Sequence, residues 1–582
     1  MKKILLSVLT ACSLFCAQAA TPTLNWAYAI DTNYANDQIG TIAKTSDNNI
    51  VTFSHFASQK DGDNLSYNGE VIAYGAVTST EGRNLLVIKH DNDGKKVWAV
   101  YSKNGYFDAG TGSVIATPDG GVVVLAKPRA SQQTDKYVEP QLVDATGAEI
   151  DFPEFPTLNW TYNTVLIKIS SEGAVQWVRQ FAMDELPIAG TDKATTDAVT
   201  PYGLTVDTTG NIYIAGNFRA PMVFTGEKNS HYILQPRNVT SSTTSGGLFL
   251  VKLNSEGDFV GQVKAEGAVT REQISGLAYD NGKIYFFGNV QGTADATLTV
   301  GDKSITLEND LDGLMYGCVA EDLTVDYLKY VKAFGSTDGK HTTQAKAIRV
   351  LDGELYLLGL VKGGFAPAGA ADAQISSATT TLDRFLIRCA TADGNWTDAV
   401  AQNNSGKISG YFDVFKYNDN LYAYGYAMDS TVGVFIDQYN GNKLELVEQQ
   451  SLINGGGSPT TAAGCVLNSE KGNVVVSIRG NNEFKFSGSE TTITPLDKKY
   501  GCALASFNLA GETTSAEVAT SALTTYSADE TAIIVTTNND LEVNIYNVAG
   551  VQVASQKVAA GTTRISLPKG IYIVNDTKLI VG

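Results

Sequence analysis

Lys89, Lys168, Lys252 and Arg388 hold the same place in a phrase that recurs along the chain. Set around an axis, they would make a ring of cations suited to an anion. The simpler reading is that each aliphatic stem packs between neighbouring units while its head reaches a carboxylate on the adjoining turn, Asp91, Glu172, Glu256 or Asp393. Gly317, Asp437 and Ser506 occupy the other equivalent places, which breaks the ring and favours packing. Trp26, Trp98 and Trp177 share a second position, where stacking on a planar quinone competes with packing between units, and packing is the expected role. Asp91-Asn92-Asp93-Gly94 has the start of a calcium loop but not its closing glutamate. His55, His90, His231 and His341 are scattered, and no zinc motif, nucleophile elbow, phosphate loop or dinucleotide fingerprint occurs, so neither a metal nor a cofactor is expected. Asp108, Asp184, Glu185 and Asp192 fall in long connections, where two carboxylates at the right separation could hydrolyse a glycoside.

These residues are positioned by a repeat. Residues 247–289 contain an apolar run, a tight turn, a second run, and then a hairpin turning at Asp280-Asn281-Gly282, and the pattern returns about every 70 residues. Each run has the length of a strand, and the turns are rich in residues that tolerate φ > 0. Seven copies of each part are present, but the second runs begin early, with Trp26-Ala27-Tyr28-Ala29, and the last first run, 501–507, comes late. The sequence therefore predicts an all-β, seven-bladed β-propeller in which 247–289 is one blade. Residues 501–507 return from the far end as the inner strand of the blade begun by Trp26, removing an exposed edge.

Residues 1–20 read as a secretory signal, with Lys2-Lys3, an apolar stretch and cleavage near Ala19; Leu9-Thr10-Ala11-Cys12 offers a weaker, lipobox reading. The propeller is expected over 21–511, a linker rich in Thr, Ser and Ala over 512–528, and a small C-terminal β-sandwich over 529–582. The net charge of −18 argues against nucleic acid and anionic membrane surfaces as partners. Cys318, Cys389, Cys465 and Cys502 fit no zinc spacing and read as small buried apolar residues, with a disulfide between neighbouring blades as the alternative.

Loop length carries the functional information. Turns within hairpins are short, whereas the connections from second to third strands and from fourth strands onward are long and varied, and both long classes emerge on one face. The largest are 58–83, 129–163, 184–201 and 219–247, and phrases such as Met222-Val223-Phe224-Thr225-Gly226 suggest hairpins that extend the fourth strand and shield its edge. In or beside these connections lie Tyr106, Phe107, Arg129, Arg219, Arg271 and His341, the aromatic and cationic types that dominate recognition surfaces and hence the expected binding residues.

The phrases Thr164-Val165-Leu166-Ile167-Lys168 and Gly210-Asn211-Ile212-Tyr213-Ile214-Ala215-Gly216 resemble the β-propeller repeats of bacterial secreted proteins, which implies a scaffold rather than an activity. The tail, with Val543-Asn544-Ile545-Tyr546-Asn547, Leu567-Pro568-Lys569-Gly570-Ile571-Tyr572 and a last strand at Lys578-Leu579-Ile580-Val581, resembles the C-terminal sorting domain of type IX (Por) secretion cargo of Bacteroidetes. That resemblance implies export to the cell surface or medium, with the secretion machinery as a partner. The expected function is a non-catalytic scaffold binding a glycan or protein through its long-loop face, the alternative a carbohydrate-active enzyme using loop carboxylates.

Overall fold

The computed structural model describes residues 22–582 except 33–37, 58–64, 68–69, 74–82, 104–105, 108–112, 130, 134–135, 139, 153–163, 184–198, 219–221, 226–231, 235–246, 335–342, 373, 378–379, 404–406, 429–432, 455–460, 468–471, 481–482, 494–500, 510–524, 530, 538–539, 549, 560 and 575–576. The expected signal segment and most of the expected linker lie outside the described residues. All regular structure among the described residues is β.

Seven sheets share a four-strand antiparallel meander. Sheet I is Gln38–Lys44, Ile50–Ala57, Arg83–His90 and Lys96–Lys103; sheet II is Ser113–Ala116, Val122–Ala126, Thr164–Ile169 and Val175–Met183. Sheet III is Val199–Val206, Ile212–Phe218, Leu248–Leu253 and Phe259–Val263; sheet IV is Arg271–Asp280, Lys283–Gln291, Gly313–Ala320 and Val325–Phe334. Sheet V is Thr343–Leu351, Glu354–Val361, Asp383–Ala390 and Trp396–Gln402; sheet VI is Ser409–Tyr417, Asn420–Ala427, Val434–Asn440 and Leu446–Asn454. Sheet VII joins the two ends of this region, with Thr461–Leu467, Asn473–Gly480 and Gly501–Asn508 completed by Thr23–Thr32. Local chemistry sets the hairpins. In the two-residue turns Asn281-Gly282, Asp352-Gly353 and Asn418-Asp419 both residues have positive φ, which matches the strand twist.

The expected pairing of the first strand with 501–507 is present, running from Thr23 opposite Asn508 to Ile30 opposite Cys502. The expected phase of the repeat is wrong by two strands. Residues 247–289 end sheet III and begin sheet IV rather than forming one unit. Gly501–Asn508 is the third strand of its sheet, and Trp26 lies on the outermost. The innermost strands are the first of each meander: each contacts its neighbours in sequence order, and that of sheet VII contacts that of sheet I. At three of these junctions the contact is the same in kind. A Cβ on Gly203 would stand 2.8 Å from Leu277, one on Gly276 3.2 Å from Ile348, and one on Gly464 2.9 Å from Ile42, so glycine lets adjacent inner strands close up. A repeat fixes a period but no phase, because alternation and turn chemistry are alike in both hairpins.

The hairpins in the long connections also differ from expectation. Five arise between the second and third strands of one sheet but pair with the outermost strand of the preceding sheet, whereas Thr297–Val300 pairs with Ala265–Gly267 and Ser131–Gln133 with Lys136–Val138 alone. Leu65–Tyr67 extends Thr23–Thr32, Gln141–Val143 extends Lys96–Lys103, and Met222–Thr225 extends Val175–Met183. Gly364–Pro367 extends Val325–Phe334 and Phe484–Phe486 extends Leu446–Asn454. Edge shielding is thus their role, but across a sheet boundary.

The tryptophans pack between sheets as expected. The Trp26 and Trp98 indoles donate to the carbonyls of Asn92 (3.0 Å) and Ser171 (2.9 Å) on the outer turn of the next sheet. The rings leave no room there for more than glycine, since a Cβ at Gly94 would lie 2.8 Å from Trp26 and one at Gly173 2.8 Å from Trp98. Beyond the meanders, Thr525–Ala528, Ala532–Thr537 and Gly561–Ser566 form one sheet, and Leu541–Asn547, Gln552–Val558, Gly570–Val574 and Thr577–Val581 another. They share a core of Ile533, Val535, Val543, Ile545, Ile565 and Val574. Thr525–Ala528, expected as linker, therefore belongs to the C-terminal sheets.

A candidate ligand site among the innermost strands

The innermost strands enclose a cavity of about 550 Å³, lined by residues from all seven sheets. Its wall is shaped by a recurring irregularity. The register of the inner hairpin slips once in six of the sheets, at Tyr202, Ser275, Lys346, Phe412 and Ala463, and over Gly40-Thr41 in sheet I. A bulge adds an unpaired residue and re-aims its side chain, which is how sheets furnish sites. Thr41, Tyr202, Ser275, Lys346 and Phe412 all line the cavity. The Lys346 ammonium stands 5.6 Å from the centre of the Phe412 ring, a cation–π distance, and Phe412 packs in turn on Tyr426 at 5.3 Å. Thr41 Oγ1 accepts from the Val114 N–H at 2.8 Å, tying sheets I and II.

Further along the same strands, Arg349 and Asp413 form a fork-to-fork pair, Nε to Oδ1 at 2.8 Å and Nη2 to Oδ2 at 2.9 Å. The Arg349 side chain keeps 42% of its surface exposed while Asp413 keeps 6%. Asp413 raises the basicity of the guanidinium and fixes its charge. Lys346 has no such neighbour, and burial alone draws its ammonium below the ordinary lysine range. Cys465, also on the wall, is buried, and burial pushes its thiol well up, with Asp413 adding to the effect, so it is no nucleophile. Such a wall can bind, stack and hold charge.

The residues singled out from sequence are placed elsewhere. Lys89 reaches Asp47 at 2.7 Å, Lys168 reaches Asp119 at 2.8 Å, Lys252 donates to the Glu321 carbonyl at 2.8 Å, and Arg388 donates to the carbonyls of Gly441 and Asn442, both at 3.1 Å. They pack between sheets, as the simpler reading had it, but with other partners. Asp47 and Asp119 lie on the inner-hairpin turn of the lysine's own sheet, and Glu321, Gly441 and Asn442 on the outer turn of the next. At Asp47, burial works against ionisation, yet the hydrogen bonds from Lys89, Thr45 and the Asn49 N–H hold the carboxyl down at about 2. Asp437 instead pairs with the buried Arg384 at 2.8 Å.

Of the expected binding residues, Phe107 is fully buried against Phe152 with ring centres 5.9 Å apart, which makes it a core residue, not a contact for a ligand. Tyr106 and Arg129 face each other as a backbone pair, and Arg271 opens the innermost strand of sheet IV opposite Gln291. Arg219 and His341 lie outside the described residues, as do Asp108, Asp184, Glu185 and Asp192. Asp91-Asn92-Asp93-Gly94 is an outer turn in which Asp91 accepts from the Asp93 and Lys95 N–H groups, and no group of three metal-binding side chains occurs among the described residues. Cys318, Cys389, Cys465 and Cys502 are free and buried. The bulge residues escaped notice, although Tyr202-Gly203-Leu204, Ser275-Gly276-Leu277 and Ala463-Gly464-Cys465 repeat a readable pattern, with glycine just after the bulge.

The beta-propeller repeat family model matches residues 176–217, from the outermost strand of sheet II to the second strand of sheet III, so the chain carries a propeller repeat. No curated protein matches the sequence. Among solved structures the chain is similar to a protein of unknown function from Dyadobacter fermentans, at 11% identity over 70% of this chain and 95% of that one, TM-score 0.35. It is also similar to extracellular domains 1–2 of Drosophila Semaphorin 1b, at 9% identity over 84% and 88%, TM-score 0.36. A third similarity is to PorZ, a surface component of the type-IX secretion system of Porphyromonas gingivalis, at 9% identity over 92% and 79%, TM-score 0.25. No helix among the described residues is long and apolar enough to cross a membrane.

Proposed function

We propose that this chain is an exported, seven-bladed β-propeller, closed by its first strand, that acts as a non-catalytic binding scaffold for a glycan or protein. A C-terminal β-sandwich serves it as a sorting domain for the secretion machinery. The binding reading is carried by the bulges of the inner strands, which set Thr41, Tyr202, Ser275, Lys346 and Phe412 on one cavity wall. Lys346 stands nearer the start of Thr343–Leu351 than its end, hence toward the face of the long connections. On that reading the ligand enters from the long-loop face, where Tyr106, Arg129, Arg219, Arg271 and His341 add contacts at the rim. The test is a screen of purified 21–582 against glycans and proteins, scored for both binding and product release. Binding without turnover, weakened by alanine at Phe412, is the expected result. Turnover would replace the scaffold by the carbohydrate-active alternative.

A further inference from the structure

Resting on that reading, we infer that the cavity takes an acidic saccharide, its carboxylate on Lys346 and the C–H face of its ring on Phe412. Three observations carry the ligand class. The first is charge. The protein as a whole carries −18, yet the cavity wall holds Lys44, Lys346 and Arg349 against the single carboxylate of Asp413, a local balance of +2. The second is that the Arg349–Asp413 pair cancels, which leaves this charge on Lys44 and Lys346, the latter beside the Phe412 ring. Asp413 is committed to Arg349 through two contacts, whereas Lys346 has neither a carboxylate nor a hydrogen-bond partner among the described residues. A half-buried ammonium without a counter-ion is stabilised by an anion that brings its own charge. The third is shape. A lone amine is a point donor, not the fork or nest of N–H groups that favours phosphate, and it lies beside an aromatic face in a cavity that the hydroxyl-bearing Ser275 and Thr41 also line. Apolar ring face, hydroxyl partners and one carboxylate together describe a uronate, and about 550 Å³ lies within the usual size range of small-molecule sites.

The test is calorimetric titration of 21–582 with glucuronate, glucose and inorganic phosphate, repeated on Lys346→Met and Lys346→Arg, with a thermal melt of each variant. Expected are binding of glucuronate at least tenfold tighter than either glucose or phosphate, loss of that preference in Lys346→Met, and its retention in Lys346→Arg, all with unchanged melting temperature. Should Lys346→Met fail to fold, the preference in Lys346→Arg and the glucose and phosphate titrations decide. Glucose bound as tightly as glucuronate overturns the inference, as does phosphate bound as tightly or a preference that survives in Lys346→Met. If some other glycan or protein binds and is indifferent to Lys346→Met, the acidic-saccharide inference falls and the scaffold reading stands. If nothing in either screen binds, the scaffold reading itself falls.

Discussion

His90 lies fully buried at the end of a third strand, with Nε2 3.0 Å from Thr52 Oγ1 and its ring 4.8 Å from that of Tyr67. Desolvation, only partly offset by the Gly94 carbonyl as an acceptor for the imidazole, lowers its pKa from 6.5 to about 3. A histidine depressed in the folded state stays neutral while the unfolded chain takes up a proton, so its contribution is intact above 6.5 and is lost as the pH falls toward 3. At pH 5 the loss should be about 2 kcal/mol, given about 1.4 kcal/mol per pH unit. Urea unfolding at pH 7 and pH 5 should show this difference in the wild type and not in His90→Gln. Asp47 titrates near 2, outside that window. Glycine offers a second test. Gly173 and Gly353 have φ of +89° and +74°, but a Cβ at Gly173 meets Trp98 and Ala145 while one at Gly353 meets nothing within 4 Å. Alanine at Gly353 should cost about 1 kcal/mol, the left-handed penalty, and alanine at Gly173 about 2 kcal/mol more for overpacking, both read from denaturant midpoints. At this scale the roles of Trp26 and Trp98 could be read in advance, because equivalent spacing implies equivalent packing. The partners of Lys89 and Lys168 could not, because Val51 lies opposite Lys89 only once the inner hairpin is known to be in the same sheet.

Between elements, the weight falls on the joining of the chain ends. Thr23–Thr32 pairs along nearly its whole length with Gly501–Asn508, which also pairs with Asn473–Gly480. Truncation after Asn482 removes the strand between them and leaves two unpaired edges, so the melting temperature should fall sharply and light scattering should report association. An unchanged melting temperature would refute the closure. Strand identity and the pairing of the ends were legible because runs, turns and counts are local properties. The phase was not, since nothing in 247–289 distinguishes a connection inside a sheet from one between sheets. The bulges left a recurring glycine to read but nothing that marked them as a site, since a slip of one residue changes register and leaves composition unaltered.

For the molecule as a whole, the C-terminal sheets have their own core, so removal of 525–582 should leave the melting temperature of the remainder within about 1 °C, as expected for units that fold separately. On the proposed role of the tail, the same deletion in the native host should abolish surface delivery, and normal delivery without it would remove the sorting-domain reading. The hairpins that cross from one sheet to the one before have a consequence for how the protein opens. They overlap like roof tiles, all laid in the same rotational direction, so the outer strand of a covered sheet cannot fray until its neighbour's tile has lifted. Sheets III and V break the sequence: among the described residues Phe259–Val263 pairs with Leu248–Leu253 alone and Trp396–Gln402 with Asp383–Ala390 alone, but Thr297–Val300 covers Ala265–Gly267 just beyond the former, whereas the connection between Asn420–Ala427 and Val434–Asn440 contributes no strand among the described residues to cover the latter. Amide hydrogens on Trp396–Gln402 should therefore exchange with solvent before those of Val325–Phe334 or Leu446–Asn454, and loosening of the ring on heating should begin at this missing tile.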